Sequence, residues 1–299
     1  MNSMSSKRVR DASGSLIERA AEAYGFGAVA VSPFKPTAQS FASSVEEVRP
    51  LNTYTGPVAV VDRDALRASG FIVPGAAPTG LSEEFRLVKR QLLLSALGGS
   101  GGEPIDRGQL ILVCSAQANE GKTFSSVNLA LSMASETSIE VVLVDADVAK
   151  PEILSTLGIA GGKGLLDALA NPELDVENML IHTDVPNLLV LPAGLPTNSD
   201  TELLASDRTG ALIERLTKGH PRRIILFDSA PALAASPASV LALHVGQCLI
   251  VVRADRTTES ELRDALALLD GCPRIQFMLN GVSYSGTNRK FGSYYGYGE

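Results

Sequence analysis

The sequence is poor in the residues that build metal cages and disulfide frameworks. Among 299 residues there are three cysteines and three histidines. Cys114, Cys248 and Cys272 are odd in number and far apart. His182, His220 and His244 show no zinc-ligand spacing with them, so neither a disulfide scaffold nor a zinc site is expected. Cys114 and Cys248 fall in apolar runs that read as strands, which suits buried small hydrophobes in a reducing compartment. Positive charge is also short: 26 Lys and Arg against 33 Asp and Glu leave a net charge of −7, which argues against a protein that coats nucleic acid. No apolar stretch resembling a signal peptide follows the polar start MNSMSSKRVRDASGS. The segment 229–252 carries no Asp, Glu, Lys or Arg. Its prolines, its serines, His244, Gly246 and Gln247 interrupt it, so a buried loop, helix and strand are expected rather than a membrane span. A cytoplasmic protein is expected.

What the sequence does have is an apolar share of 45%, enough for a sizeable core. Residues 1–80 are rich in Ser, Pro, Ala and Gly and read as a flexible arm, with one short helix expected from Gly14 to Tyr24. A helix is expected over 82–97, capped by Ser82, with Glu83 and Glu84 in its first turn and Phe85, Val88, Leu92 and Ser95 as one stripe. From Gln109 onward, short continuous apolar runs recur: QLILVC, EVVLVDA, NLLVLPA, RIILFD, QCLIVVR and IQFMLN. Such runs mark strands buried on both faces. Helical stretches at 122–135, 201–217 and 258–270 separate some of them. The alternation predicts a doubly wound, mostly parallel α/β sheet, whose ligands bind at the carboxyl ends of its strands. The domain reading is therefore an arm over 1–80, an α/β domain over 81–283 that includes the 82–97 helix, and a tail over 284–299.

The chemistry-bearing segment is LILVCSAQANEGKTF. A strand runs into a loop, and Gly121-Lys122-Thr123 opens a helix. Backbone N–H groups of such a loop cradle phosphate oxygens. Lys122 can reach the β- and γ-phosphates, and the Thr123 hydroxyl can ligate Mg²⁺. The P-loop pattern lacks its first glycine, which is Ala116 here. Ala116, Gln117, Asn119, Glu120, Gly121, Lys122, Thr123 and Phe124 are thus the candidate nucleotide-binding segment. Two more strands end in acid: Asp145 and Asp147 follow EVVLV, and Asp228 ends RIILFD, with Pro231 beyond it. Hard oxygen ligands at strand ends facing a phosphate loop are what a Mg²⁺ site requires. Thr123, Asp145 and Asp228 are the candidate metal ligands. Lys122, Asp145 and Asp147 are the candidate catalytic residues.

With these motifs the chain resembles the bacterial tyrosine autokinases of exopolysaccharide synthesis, over roughly residues 80–299. More narrowly, it resembles the stand-alone cytoplasmic type found with exosortase systems. That family carries a Walker A motif, a D-x-D and a D-x-x-P. They are matched by Gly121-Lys122-Thr123, Asp145-Ala146-Asp147 and Asp228-Ser229-Ala230-Pro231. Its E-x-x-R-x-x-R helix is matched as Glu83-x-x-Arg86-x-x-Lys89, with Arg90 beside it. PAG at 192–194 and ELLAS at 202–206 also look alike. Ala118-Asn119 stand where the family holds Pro-Gly, and Ala149-Lys150 replace an arginine after D-x-D. The first change could loosen the phosphate loop, and Lys150 could substitute in the second.

The resemblance implies an ATP- and Mg²⁺-dependent kinase that phosphorylates its own tail in trans. Four of the six tyrosines, Tyr284, Tyr294, Tyr295 and Tyr297, lie in the last sixteen residues. It also implies that Asn280 contacts adenine, and that Glu83, Arg86 and Lys89 contact a neighbouring subunit in a ring. The implied partners are a membrane polysaccharide chain-length (co-polymerase) protein, through which the chain would be recruited to the inner membrane, and a phosphotyrosine phosphatase. Two other readings share the motifs. One is a partition or septum-site ATPase acting as a dimerisation switch; such proteins carry a lysine where Gln117 stands, and they lack a tyrosine tail. The other is a nucleotide-binding regulatory subunit without catalysis.

Overall fold

A computed structural model of the chain describes residues 56–98, 103–197 and 199–282. These belong to one compact unit, Val48–Glu299. The helix expected at 14–24 and the tail tyrosines Tyr284, Tyr294, Tyr295 and Tyr297 lie outside the described residues.

Among the described residues, seven strands form one sheet: β1 (Leu110–Ser115), β2 (Glu140–Ala146), β3 (Ile181–His182), β4 (Leu188–Leu191), β5 (Arg223–Ser229), β6 (Gln247–Arg253) and β7 (Ile275–Asn280), in the order β3-β4-β2-β5-β1-β6-β7. All neighbouring pairs are parallel except β3 with β4. The two-residue β3 has no signature of its own in the sequence. It is held by its pairing with β4, where Ile181 lies opposite Val190 and His182 opposite Leu189. The continuous apolar runs are explained by burial on both sides. In β1, Leu110, Leu112 and Cys114 point into one core and Ile111 and Val113 into the other. Period-two alternation is present in the fold although both faces read as apolar.

One layer holds α1 (Arg63–Ala68), α2 (Gly80–Leu97), α3 (Lys122–Ala134) and α4 (Ile153–Leu157). The other holds α5 (Leu165–Ala170), α6 (Asp200–Leu204), α7 (Arg208–Thr217), α8 (Pro237–Ala242) and α9 (Glu259–Leu268). The charge-free stretch 229–252 is thus the end of β5, a loop, α8 and most of β6. Among the described residues, no helix is long and apolar enough to cross a membrane.

Three expectations about the elements change. The boundary at residue 80 lies too late. Ala59 bridges Thr183, its N–H donating to the His182 carbonyl at 2.8 Å, and Val61 and Leu66 are buried in the same core as α2 and α3. The composition of residues 56–80 hides this because few anchors suffice. The helix expected to start after Ser82 starts at Gly80, capped by Thr79. Thr79 Oγ1 accepts from Ser82 N–H at 3.2 Å, and Ser82 Oγ accepts from Thr79 N–H at 2.7 Å, so Ser82 is the third residue of a capping box rather than the cap. The single helix expected over 201–217 is two. Ser206 and Thr209 hydroxyls donate to the Leu203 and Leu204 carbonyls at 2.6 Å, satisfying in a turn the acceptors a continuous helix would have used.

On α2 the buried stripe is Phe85, Lys89, Leu92, Ser95 and Ala96. Burying Phe85 and Leu92 stabilises the α2–α3 packing by about 1.5–3 kcal/mol each. Lys89, expected as a contact to a neighbouring subunit, is instead committed inside the chain. Lys89 is 6% exposed, and its ammonium donates to Glu136 Oε1 at 2.6 Å and to the Ser132 carbonyl on α3 at 3.2 Å. Glu83 and Arg86 remain on the surface, paired with each other at 3.2 Å.

Candidate active site

β1 delivers the chain to the phosphate loop at the carboxyl edge of the sheet, and the loop is fixed from below. Glu120 is fully buried: its carboxylate accepts from Gln117 N–H at 2.8 Å and from the Thr257 hydroxyl. Its side chain is the brace that curls the loop, so a contact from this position to a phosphate would come from its backbone N–H. Ala116 is also interior, its carbonyl accepting from Leu233 N–H at 3.2 Å. Asn280, at the end of β7, donates from Nδ2 to the Glu120 carbonyl at 2.8 Å. A Cβ on Gly121 would collide with that amide, and Gly121 has φ 97°, so this position takes glycine on two counts. Asn119, standing where the resembled family has glycine, has φ 63°. Asparagine is the side chain that best tolerates the left-handed region after glycine, so the substitution keeps the turn.

Above the loop the sequence-distant residues converge. Lys122 Nζ donates to Asp147 Oδ2 at 2.7 Å, with both side chains largely buried. Ser126 Oγ donates to Asp228 Oδ1 at 2.9 Å, and the Thr123 hydroxyl also lies against Asp228. Asp145 sits opposite Asp228 in the β2–β5 register. Its Oδ2 accepts from Ile153 N–H at 3.1 Å at the start of α4. Asp145 Oδ1 and Asp228 Oδ2 are buried without a hydrogen-bond partner. Burial pushes the Asp145 carboxyl up to about 7, with a further push from Asp228 and Asp147. Burial likewise raises Asp228 to about 6, against the pull of Lys122, Thr123 and Ser126.

Two unpartnered carboxylate oxygens, a threonine hydroxyl and a lysine beside a glycine-turned loop fit a nucleotide phosphate with a divalent cation. Among the described residues, no group of three or more His, Cys, Asp or Glu side chains could hold a metal ion by itself.

A cleft of about 660 Å³ opens on this side of the loop, lined by Asn119, Gly121, Lys122, Thr123, Phe124 and Asp147, with Phe71, Lys150 and Pro231 among its other walls. Lys150 stands at the rim, 72% exposed and paired with Glu152 at 2.7 Å. Gln117 faces the other side, donating to Glu261 Oε1 at 3.2 Å. Sequence reasoning named Lys122, Thr123, Asp145, Asp147 and Asp228, and the fold brings all five together. It did not find Ser126, Thr257 or Phe71. Ser126 lies one turn beyond Lys122 on α3, a spacing that could have singled it out; Thr257 and Phe71 carry no signal in the linear sequence.

The doubly wound sheet, the loop without its first glycine and the two acidic strand ends define a P-loop NTPase-like fold of a deviant Walker type. The chain matches no family model. It is 30% identical over 190 residues to the tyrosine-protein kinase Wzc of Salmonella typhi, covering 63% of this chain and 26% of that protein. It is 26% identical over 194 residues to the tyrosine-protein kinase CpsD of Streptococcus agalactiae, covering 64% of this chain and 82% of that one. Among solved structures, the VpsO kinase domain superposes with a TM-score of 0.56 at 28% identity, over 68% of this chain and 96% of that domain. The kinase domain of the Escherichia coli tyrosine kinase ETK gives 0.55 at 26% identity, over 61% and 71%. These similar proteins are bacterial tyrosine kinases, and the two solved structures are of kinase domains. The chain spans about a quarter of the length of the first of these relatives.

Proposed function

We propose that the chain transfers the γ-phosphoryl group of ATP to tyrosine, with Tyr284, Tyr294, Tyr295 and Tyr297 of its own tail as acceptors. The observation that carries this reading is the convergence of Lys122, Asp147, Asp145 and Asp228 around the end of one phosphate loop. In the transfer, the phenolic oxygen bonds to the γ-phosphorus as the bond from that phosphorus to the β–γ bridging oxygen breaks. ADP leaves, and the phenolic proton passes to a carboxylate. Asp147, which lines the cleft, is the acceptor for that proton, and Asp145 lies behind it. Lys122 leaves Asp147 for the phosphates, neutralising charge that spreads over the transferring group and freeing the carboxylate at the same moment. Mg²⁺, held by Thr123, by Asp228 directly or through water and by the unpartnered oxygen of Asp145, would supply the remaining charge neutralisation when bound. Asn280 holds the loop by its amide nitrogen, which leaves its carbonyl oxygen for adenine.

The wider setting follows the relatives, one of which is a Klebsiella pneumoniae tyrosine kinase encoded in a cps region. The chain regulates polysaccharide synthesis or export in the manner of the exosortase-associated type. It assembles with copies of itself through Glu83 and Arg86 and responds to a membrane co-polymerase protein and a phosphatase. The test is to incubate the purified chain with ATP and Mg²⁺ and to probe for phosphotyrosine, beside Lys122→Met and a variant with the four tail tyrosines changed to phenylalanine. Phosphotyrosine on the parent alone is expected. A blank parent, with the co-polymerase protein present as well, defeats the kinase reading.

A further inference from the structure

A triphosphate and its cation account for the lysine, hydroxyl and carboxylates of the cleft, but not for its aromatic wall. Phe124 directly follows Thr123 on α3, and Phe71 meets it from the segment after α1, with ring centroids 4.8 Å apart and planes at 47°. Phe85 backs Phe124 at 6.4 Å, edge on, and is buried. Phe71 and Phe124 are only half-buried, and both line the cleft, as do Pro231, Ala234 and Ala235. An aromatic face carries partial negative charge and offers nothing to a phosphate oxygen.

The wall is also deliberately tied. Ile72 N–H donates to Asn128 Oδ1 at 2.7 Å, while Asn128 Nδ2 donates to the Phe124 carbonyl at 2.8 Å. One buried asparagine thus joins the segment carrying Phe71 to the helical turn carrying Phe124. Phe71 N–H closes the other side onto the Leu66 carbonyl at 2.9 Å.

We infer that Phe71 and Phe124 form the seat of the acceptor ring: a tyrosine side chain from the tail of a second copy of this chain stacks there, its hydroxyl directed to Lys122 and Asp147. This rests on the kinase reading above. The occupant is a tyrosine because four stand in the last sixteen residues, each beside glycine or serine, small neighbours that let a ring enter a cleft. The seat also explains selection among hydroxyls. A serine or threonine side chain is too short to cover the two rings, so the apolar wall would stay wet, whereas a phenol covers it and reaches the same lysine.

The experiment uses the full chain with Tyr284, Tyr294, Tyr295 and Tyr297 changed to serine, so that an added, fluorescently labelled peptide of residues 290–299 is the acceptor. Peptide binding is read by anisotropy with ADP and Mg²⁺ present, and transfer is read with ATP. Phe71→Leu, which keeps apolar volume but removes the ring, is expected to raise the peptide Kd and KM about tenfold. The Kd of a fluorescent ADP analogue should change less than about twofold. Phe71→Tyr should return peptide binding toward the parent, and a peptide with its tyrosines changed to serine should bind the parent and Phe71→Leu equally weakly. Phe71→Met is the second variant if Phe71→Leu does not fold. Three results overturn the inference: no peptide binding by the parent, equal peptide binding by parent and Phe71→Leu, or loss of ADP affinity by the same factor as peptide affinity. If the parent binds the peptide but transfers nothing to it, the kinase reading fails, and the anisotropy series still decides whether the ring seat exists.

Discussion

Changing Asp145 to asparagine should stabilise the free chain at pH 8 while weakening its hold on Mg²⁺ and ATP. Asp145 is 1% exposed, with one carboxylate oxygen on the Ile153 N–H and the other without a partner. Its carboxyl titrates near 3.8 when the chain is unfolded and near 7 in the fold. Between those values the folded chain keeps a proton that the unfolded chain has released, so stability falls as pH rises through that window and levels off above it. From pH 5.5, just above the isoelectric point of 5.1, to pH 8, the loss assignable to Asp145 integrates to about 2 kcal/mol. An asparagine there keeps the acceptor for Ile153 and never ionises. The fall in thermal midpoint between the two pH values should therefore be about 4–8 °C smaller in Asp145→Asn than in the parent, measured without nucleotide. In the same scans, ATP with Mg²⁺ should raise the midpoint of the parent and leave the variant nearly unmoved. Midpoints of parent and variant that shift in parallel between pH 5.5 and pH 8 would refute the reasoning, because Asp145 would then be in the same charge state throughout.

Lys122→Met should abolish phosphotyrosine formation by at least about a hundredfold, and should also lower stability by about 1–3 kcal/mol, because Asp147 is left buried without its cation; adding Asp147→Asn should restore the melting temperature but not the activity. Thr257→Val removes a donor from buried Glu120 and should cost about 1–3 kcal/mol in urea denaturation together with a weaker ADP affinity, while Thr257→Ser should recover both. Lys89→Met should lower stability by about 1–2 kcal/mol, the pair with half-exposed Glu136 being partly screened, while sedimentation of the chain should be unchanged. A change in assembly with Lys89→Met at unchanged stability would return Lys89 to an intermolecular role.

The fold class was legible because β1, β2, β5 and β6 are continuous apolar runs, and a strand that buries both faces can hardly be written otherwise. The phosphate loop was legible because Gly121-Lys122-Thr123 is a local device: neighbouring residues make the nest. β3 was not legible, since two residues carry no periodicity and their pairing depends on β4. Residues 56–80 were read as arm because their anchors, Ala59, Val61, Leu66 and Phe71, are sparse, and their partners lie far away in the chain. Lys89 was read as a contact to a neighbouring subunit because of its place in the E-x-x-R-x-x-R helix; its partner Glu136 sits 47 residues on. Glu120 was named by its place in the loop; that its side chain braces the loop was not legible, because its partner Thr257 sits 137 residues on.

Local chemistry determined by the sequence alone includes the glycine that turns the loop, the lysine and threonine after it, and the strands that end in aspartate. These depend on backbone stereochemistry and on residues only a few positions apart, which no packing can rewrite. Tertiary structure decided which charges face each other: that Lys122 rests on Asp147, that Asp145 and Asp228 are left with a bare oxygen each, and that Phe71 comes to stand beside Phe124. Those outcomes turn on burial and on contacts between distant segments, and desolvation, which sets their energy, has no counterpart in the linear order of residues.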